Sequence, residues 1–243
     1  MTAISNPTTS QTITEYRIDN CDITGTLNIS GFSNLSGKFQ CNGNSNLTAI
    51  SNPTSSGVFN QYNCVLCDIT GTLDLSTLTG LGGIFSCRSN SNLTAITNPT
   101  SSETFTQYLC YSCDITGTLD LSGLTGLGGL LQLRNNSNMT GITFPTSAVT
   151  TTQLQMNACD LGYVDITGMT FSSAIDFDMS NNSMTTAEVN HMLVDMDNTF
   201  PGTGTGTIDI SGTNAAPDGS SGGYDGTTAK ANLIANGYTV TTS

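Results

Sequence analysis

The fold class this sequence predicts is a β-rich α/β solenoid, a stack of near-identical coils, and three observations predict it. Cys21, Asn44, Cys67, Asn90, Cys113, Asn136, Cys159 and Asn182 fall at one unbroken spacing of 23 residues, with Cys and Asn alternating. Pro7, Pro53, Pro99 and Pro145 keep a 46-residue phase, as do block starts at Ala3, Ala49, Ala95 and Gly141. Large residues recur five and three positions before each Cys or Asn, and alternation with period two makes a short strand with both series facing inward.

The first inward series is Tyr16, Phe39, Tyr62, Phe85, Tyr108, Leu131, Leu154 and Phe177. The second is Ile18, Cys41, Cys64, Cys87, Cys110, Leu133, Met156 and Met179. Cys and Asn at the repeated position can both satisfy a buried backbone turn, so these eight residues read as structural rungs. Each proline marks a corner that needs no amide donor. The spacing resembles the leucine-rich-repeat pattern L-x-L-x-x-N/C-x-L, including its tolerance of Cys at the Asn position. That resemblance implies a right-handed superhelix with one parallel sheet of about ten short strands. Thr- and Gly-rich connections stand where helices often occur in that family, so few helices are expected.

The repeat spans 1–184, and the pattern changes after Asn182. Thr185 and Glu188 have capping-box spacing, with Val189, Met192, Leu193 and Met196 on one helix face through Asn198. A strand is predicted at Thr207 to Ser211, a second helix at Thr228 to Asn236 stopped by Gly237, and a last strand at Tyr238 to Thr241. The segment 185–243 is therefore expected to be a helical cap covering the end of the stack. No capping element precedes the Tyr16 strand, so the N-terminal end is expected to be uncovered and to pack against another copy or another subunit.

The formal charge of −13 with only five cations argues against nucleic acid, whose phosphates demand neutralisation. No apolar run reaches membrane-spanning length, so no membrane insertion is expected. Two C-x-x-C pairs, Cys64/Cys67 and Cys110/Cys113, suggest zinc or redox chemistry. The repeat places Cys67 and Cys113 in the rung column and Cys64 and Cys110 in the strand column, so the reading is of buried free thiols, with no metal and no cofactor. Cys41, Cys64, Cys87 and Cys110 lie on successive coils, where a disulfide between neighbours is geometrically open. His191 and Asp195 share a helix face, but there is one His in the chain and no second imidazole. With no nucleophile–base–acid set available, an enzyme is not expected. Asp22, Asp68, Asp114 and Asp160 form a column at alternate coils, about 9.5 Å apart, too far to share a calcium ion and suited to capping turns.

Binding is expected on the outer side of the sheet. Arg88, Tyr111 and Arg134 form a ridge on three successive coils, with Val65, Leu109 and Gln132 alongside and Arg17 nearer the start. Arg and Tyr carry interface energy, and the mixture of guanidinium, amide and ring suits an acidic or sugar-rich partner. The runs "TTAEVNHMLVDMDN", "GTIDISGTNAAP" and "TTAKANLIANGYTVTT" resemble the ends of leucine-rich-repeat-like proteins encoded by tailed bacteriophages and some environmental bacteria. That resemblance implies a virion or tail-fibre surface protein that binds a host receptor or another virion protein. The alternative is a bacterial adhesin, at the cell surface or secreted, or a binding module from a longer chain. Thr24/Thr26, Thr70/Thr72 and Thr116/Thr118 raise a third reading, an ice-binding face, although these pairs skip every other coil.

Overall fold

The computed structural model describes residues 12–32, 35–54, 57–78, 80–146 and 149–243. It is a β-solenoid built on one large parallel sheet. The strands, in sheet order, are Ile13–Arg17, Leu35–Gln40, Phe59–Asn63, Leu81–Ser86, Phe105–Leu109, Gly129–Gln132, Thr151–Gln155, Phe171–Asp178, Thr207–Ile210 and Thr239–Thr242. Sheet order is chain order. Tyr16, Phe39, Tyr62 and Phe85 pair in succession, so each coil advances the chain by 23 residues. The expectations for Ala3, Pro7 and the covering of the N-terminal end lie at residues 1–11, outside the described residues.

The opposite wall is made of short parallel pairs: Thr24–Asn28 with Asn46–Ser51, Gly71–Asp74 with Leu93–Thr97, and Thr116–Asp120 with Asn138–Thr143. Between the walls, the first inward series forms a file of rings. Phe39 and Tyr62 have centroids 4.7 Å apart, and Phe85 and Tyr108 are 4.8 Å apart. Tilted ring contacts of this kind add to the burial of the rings themselves. A buried phenol needs a partner, and Tyr62 and Tyr108 donate to Asn52 and Asn98 at 2.9 and 3.1 Å. Those asparagines precede Pro53 and Pro99, and their amides donate onward to the carbonyls of Asp74 and Asp120. The proline corner is thereby tied to both the core and the next coil.

The rungs hold the turns. Asn44 Nδ2 donates to the carbonyls of Cys41 and Ile18, while its Oδ1 accepts from the amides of Cys21 and Ile23. A Cys rung does part of the same work: Cys67 and Cys113 donate from Sγ to the carbonyls of Cys41 and Cys87, 26 residues back, as Asn44 does to Ile18. The residue before each of the eight rungs is left-handed: Asn20, Gly43, Leu66, Ser89, Ser112, Asn135, Ala158 and Asn181 have φ between 53° and 70°. That backbone turns the chain so that the rung side chain points inward.

The C-terminal expectation needs correcting. Helix α1 (Thr186–Thr199) carries the expected capping box on Thr185 and Glu188, and Val189, Met192, Leu193 and Met196 are buried. Helix α2 (Gly226–Ala235) starts two residues earlier than expected because Asp225 caps it through the Thr228 amide. Neither helix covers the end of the sheet. Each forms the outer wall of a further coil, and the sheet continues past them to the half-exposed edge strand Thr239–Thr242. Phe177 pairs with Ile208 and Ile208 with Val240, steps of 31 and 32 residues, because a helix takes more chain than a turn to cross the same distance. Asn214 is a ninth rung, accepting from the amides of Asn182 and Met184.

Candidate functional site

The outward side of the sheet carries an open depression of about 470 Å³ at its N-terminal half, lined by Gln61, Asn63, Val65, Leu66, Ser86, Arg88, Gln107 and Leu109 among others. Period two along each strand sends these residues outward because Tyr62, Phe85 and Tyr108 go inward. Among the described residues, Asn63 Oδ1 and Ser86 Oγ are buried here without a hydrogen-bond partner. An unpaired buried carbonyl or hydroxyl costs about 1–3 kcal/mol, which ordered water or a ligand's polar group would offset; Thr151 Oγ1 and Asn157 Oδ1, outside the depression, are buried in the same way. Beside Asn63 and Ser86, Leu66 is 58% exposed with φ of 55°, an apolar side chain held out at a position filled elsewhere by Asn, Gly, Ser or Ala.

The structure gathers some of the expected binding residues and separates others. Arg88 and Leu109 line the depression, and Tyr111 sits against its rim between two guanidinium groups, with Arg134 4.4 Å and Arg88 5.7 Å from the ring centroid. Gln132 lies further along the sheet, paired with Gln155 at 3.1 Å. Val65 is corrected from an exposed contact to a buried floor residue, 7% exposed. Its amide donates to Asn42, whose own amide donates to Asp19, and this chain of bonds draws the short side chain down. Arg17 is exposed at the start of the sheet and forms an ion pair with Asp19, outside the depression. The signal that identifies Leu66 was present in the sequence as the one large apolar residue in the column preceding the rungs.

Asp22, Asp68 and Asp114 accept from Asn46, Asn92 and Asn138 of the following coil, so the column ties neighbouring coils together. His191 is stacked between Tyr163 and Tyr224, at centroid distances of 3.7 and 3.9 Å. Burial pushes the Tyr163 phenol up, helped by its hydrogen bond to Asp195. On the opposite wall Thr26, Thr72 and Thr118 pair with Ala49, Ala95 and Gly141, so threonine alternates with a small residue from coil to coil.

A second constellation joins cysteines of the rung column and the strand column. All eight are free thiols, yet the sulfurs of Cys87, Cys110 and Cys113 lie within 4.8 Å of one another, all buried. The turn of the rung brings Cys113 inward until it meets the strand column of its own coil and the one before. Burial and its two neighbours push the Cys87 thiol up, and the hydrogen bond with Cys113 raises Cys110. Cys113 goes the other way, lowered by hydrogen bonds from Cys110 and Cys87 and by the amides of Asn90 and Ser89.

No membrane-crossing helix occurs among the described residues, none being long and apolar enough. Comparison of the chain with protein-family models, with curated proteins and with solved structures finds no match.

Proposed function

We propose that this chain is a non-enzymatic binding solenoid whose sheet face receives a hydroxyl-rich ligand, a surface glycan, in the depression around Ser86. The observation that carries this reading is the open depression that brings two buried polar atoms without a hydrogen-bond partner, the carbonyl Asn63 Oδ1 and the hydroxyl Ser86 Oγ, beside Arg88 and the exposed Leu66. Carbohydrate sites combine amide and hydroxyl groups with an apolar edge, and one guanidinium among amides in a chain of charge −13 fits a neutral or weakly acidic sugar. The enclosure of His191, the single imidazole, between two tyrosine rings supports a role without acid–base catalysis.

The rung bonding pattern supports a leucine-rich-repeat-like coil type, and the C-terminal resemblance supports a place on a virion, with attachment to a host receptor as the role. Glycan-array binding by the purified chain, followed by titration of the best sugar, is the test. Arg88→Ala combined with Leu66→Asn should weaken binding at least tenfold, while Lys230→Ala on α2 leaves it unchanged. Equal affinity in both variants removes the sheet-face site.

A further inference from the structure

The geometry points to a soft-metal site in the core: Cys87, Cys110 and Cys113 form a three-coordinate sulfur cage for one Cu(I) ion. Three sulfurs around an ion at about 2.3 Å stand about 4.0 Å apart, so the observed set, all within 4.8 Å, closes by small side-chain rotations. Thiolate ligands select Cu(I), zinc or iron–sulfur clusters among common metals. Zinc in a closed site takes four ligands, and this group of His, Cys, Asp and Glu side chains contains only three. A trigonal arrangement without nitrogen or carboxylate suits the monovalent ion. Cys113, 9% exposed at the turn, is the door through which the ion arrives, while Cys87 and Cys110 are closed off completely. On binding, sulfur–copper bonds replace S–H bonds, the thiol protons leave to water, and no electron is transferred.

Packing alone does not require this chemistry. Phe177 in the first inward column is accompanied by Met179 in the second, both fully buried, so a ring in the first column does not by itself demand a small thiol in the second. Where the first column carries Leu131 and Leu154, the second carries Leu133 and Met156, fully buried hydrocarbon and thioether. The three thiols also occur as a set one doublet earlier, at Cys41, Cys64 and Cys67, where Cys67 Sγ again points to the carbonyl of Cys41 at 3.2 Å. That earlier set does not meet the same mutual distance, which makes it the weaker copy.

The test is anaerobic titration of the reduced, folded full chain with Cu(I) supplied as its acetonitrile complex, in competition with a chromophoric Cu(I) chelator. One tight equivalent is expected, with near-ultraviolet sulfur-to-copper absorption and the luminescence of a water-shielded copper–thiolate centre. Cys87→Ala and Cys110→Ala leave the rung in place, and each should weaken that equivalent by at least about 100-fold, more than loss of an outer-shell partner. Cys113→Ser should do the same, and Cys159→Ser should change nothing. Loss of the tight equivalent in guanidinium is also expected, since the cage exists only in the folded chain. Absence of tight uptake, equal uptake in Cys87→Ala and Cys110→Ala, equal loss in Cys159→Ser, or zinc binding as tight as copper would each overturn the assignment.

Discussion

At the scale of single residues, the two kinds of rung are unequal. Asn90 Nδ2 donates to the carbonyls of Cys64 and Cys87, and its Oδ1 accepts from the Ile69 amide, with the side chain fully buried. Asn90→Ala leaves these groups unpaired away from water and should destabilise the fold by about 3 kcal/mol, read from the denaturant midpoint. Cys159 donates to the carbonyls of Leu133 and Asn157 in weak sulfur contacts, and the amides of Asn136 and Asn135 approach its sulfur. Cys159→Asn offers the Leu133 carbonyl a stronger donor from the same position and should stay within about 1 kcal/mol of the parent chain. A loss as large as that of Asn90→Ala would show that Cys and Asn rungs are not interchangeable. The rungs were legible in the sequence because one physical demand recurs at one spacing. The thiol cage was not, because a linear pattern records which column a residue occupies and not how far a turn swings its side chain into the next column.

At the scale of elements, the left-handed residue before each rung is the hinge of every coil. Gly and Asn accept this backbone readily, whereas Leu66, like Ser89, Ser112 and Ala158, adopts it against the steric preference of an L-residue, which costs about 1–2 kcal/mol. Leu66→Asn should therefore raise stability by about 0.5–1 kcal/mol in equilibrium unfolding, and it should weaken ligand binding if the exposed side chain serves the depression. A stability decrease would show that Leu66 packs usefully at the rim. Both helices were visible from capping signals, with boundaries shifted by one or two residues. Their position was not visible, because capping chemistry fixes where a helix starts and says nothing of whether it lies across the end of a sheet or beside it. Only the strand pairings of Thr207–Ile210 and Thr239–Thr242 settle that point.

At the scale of the whole molecule, the repeating unit is the 46-residue doublet, not the single coil. Alternate coils place Tyr against Asn of the proline corner and Asn rungs against Cys rungs. Deleting 95–140 preserves that alternation and should leave a cooperatively folding chain whose denaturant m-value falls by about a fifth. Deleting 72–94 sets Cys rung upon Cys rung and Tyr62 beside Tyr108, and should cost far more stability than its shorter length would suggest. Comparable midpoints for the two deletions would contradict the doublet.

Acid should also act on the whole stack. Asp120 and Asp165 are held below the usual carboxylate range by the hydroxyls and amides of Ser122 and Thr167, and Asp218 by the hydroxyl and amide of Ser221. A depressed folded value stabilises above the unfolded pKa of about 3.9 and is lost as pH falls through that range, so the melting temperature should fall below about pH 4, by a modest amount because these carboxylates are largely exposed. Asp218→Asn should soften that acid limb, and an unchanged limb would remove Asp218 from the account.

The change in coil length from 23 residues to 31 and 32 has a mechanical consequence. Strands on both walls advance by about 4.8 Å per coil, so the strand-walled part has no reason to bend. A helix is about 10 Å across, and α1 and α2 pack side by side on the wall opposite strands that keep the narrower spacing. The last coils must therefore fan open like the wedge stones of an arch, with the sheet on the inside of the curve. A bend confined to the helix-walled coils is expected, and small-angle scattering of the chain would show it as a kinked and not a straight profile.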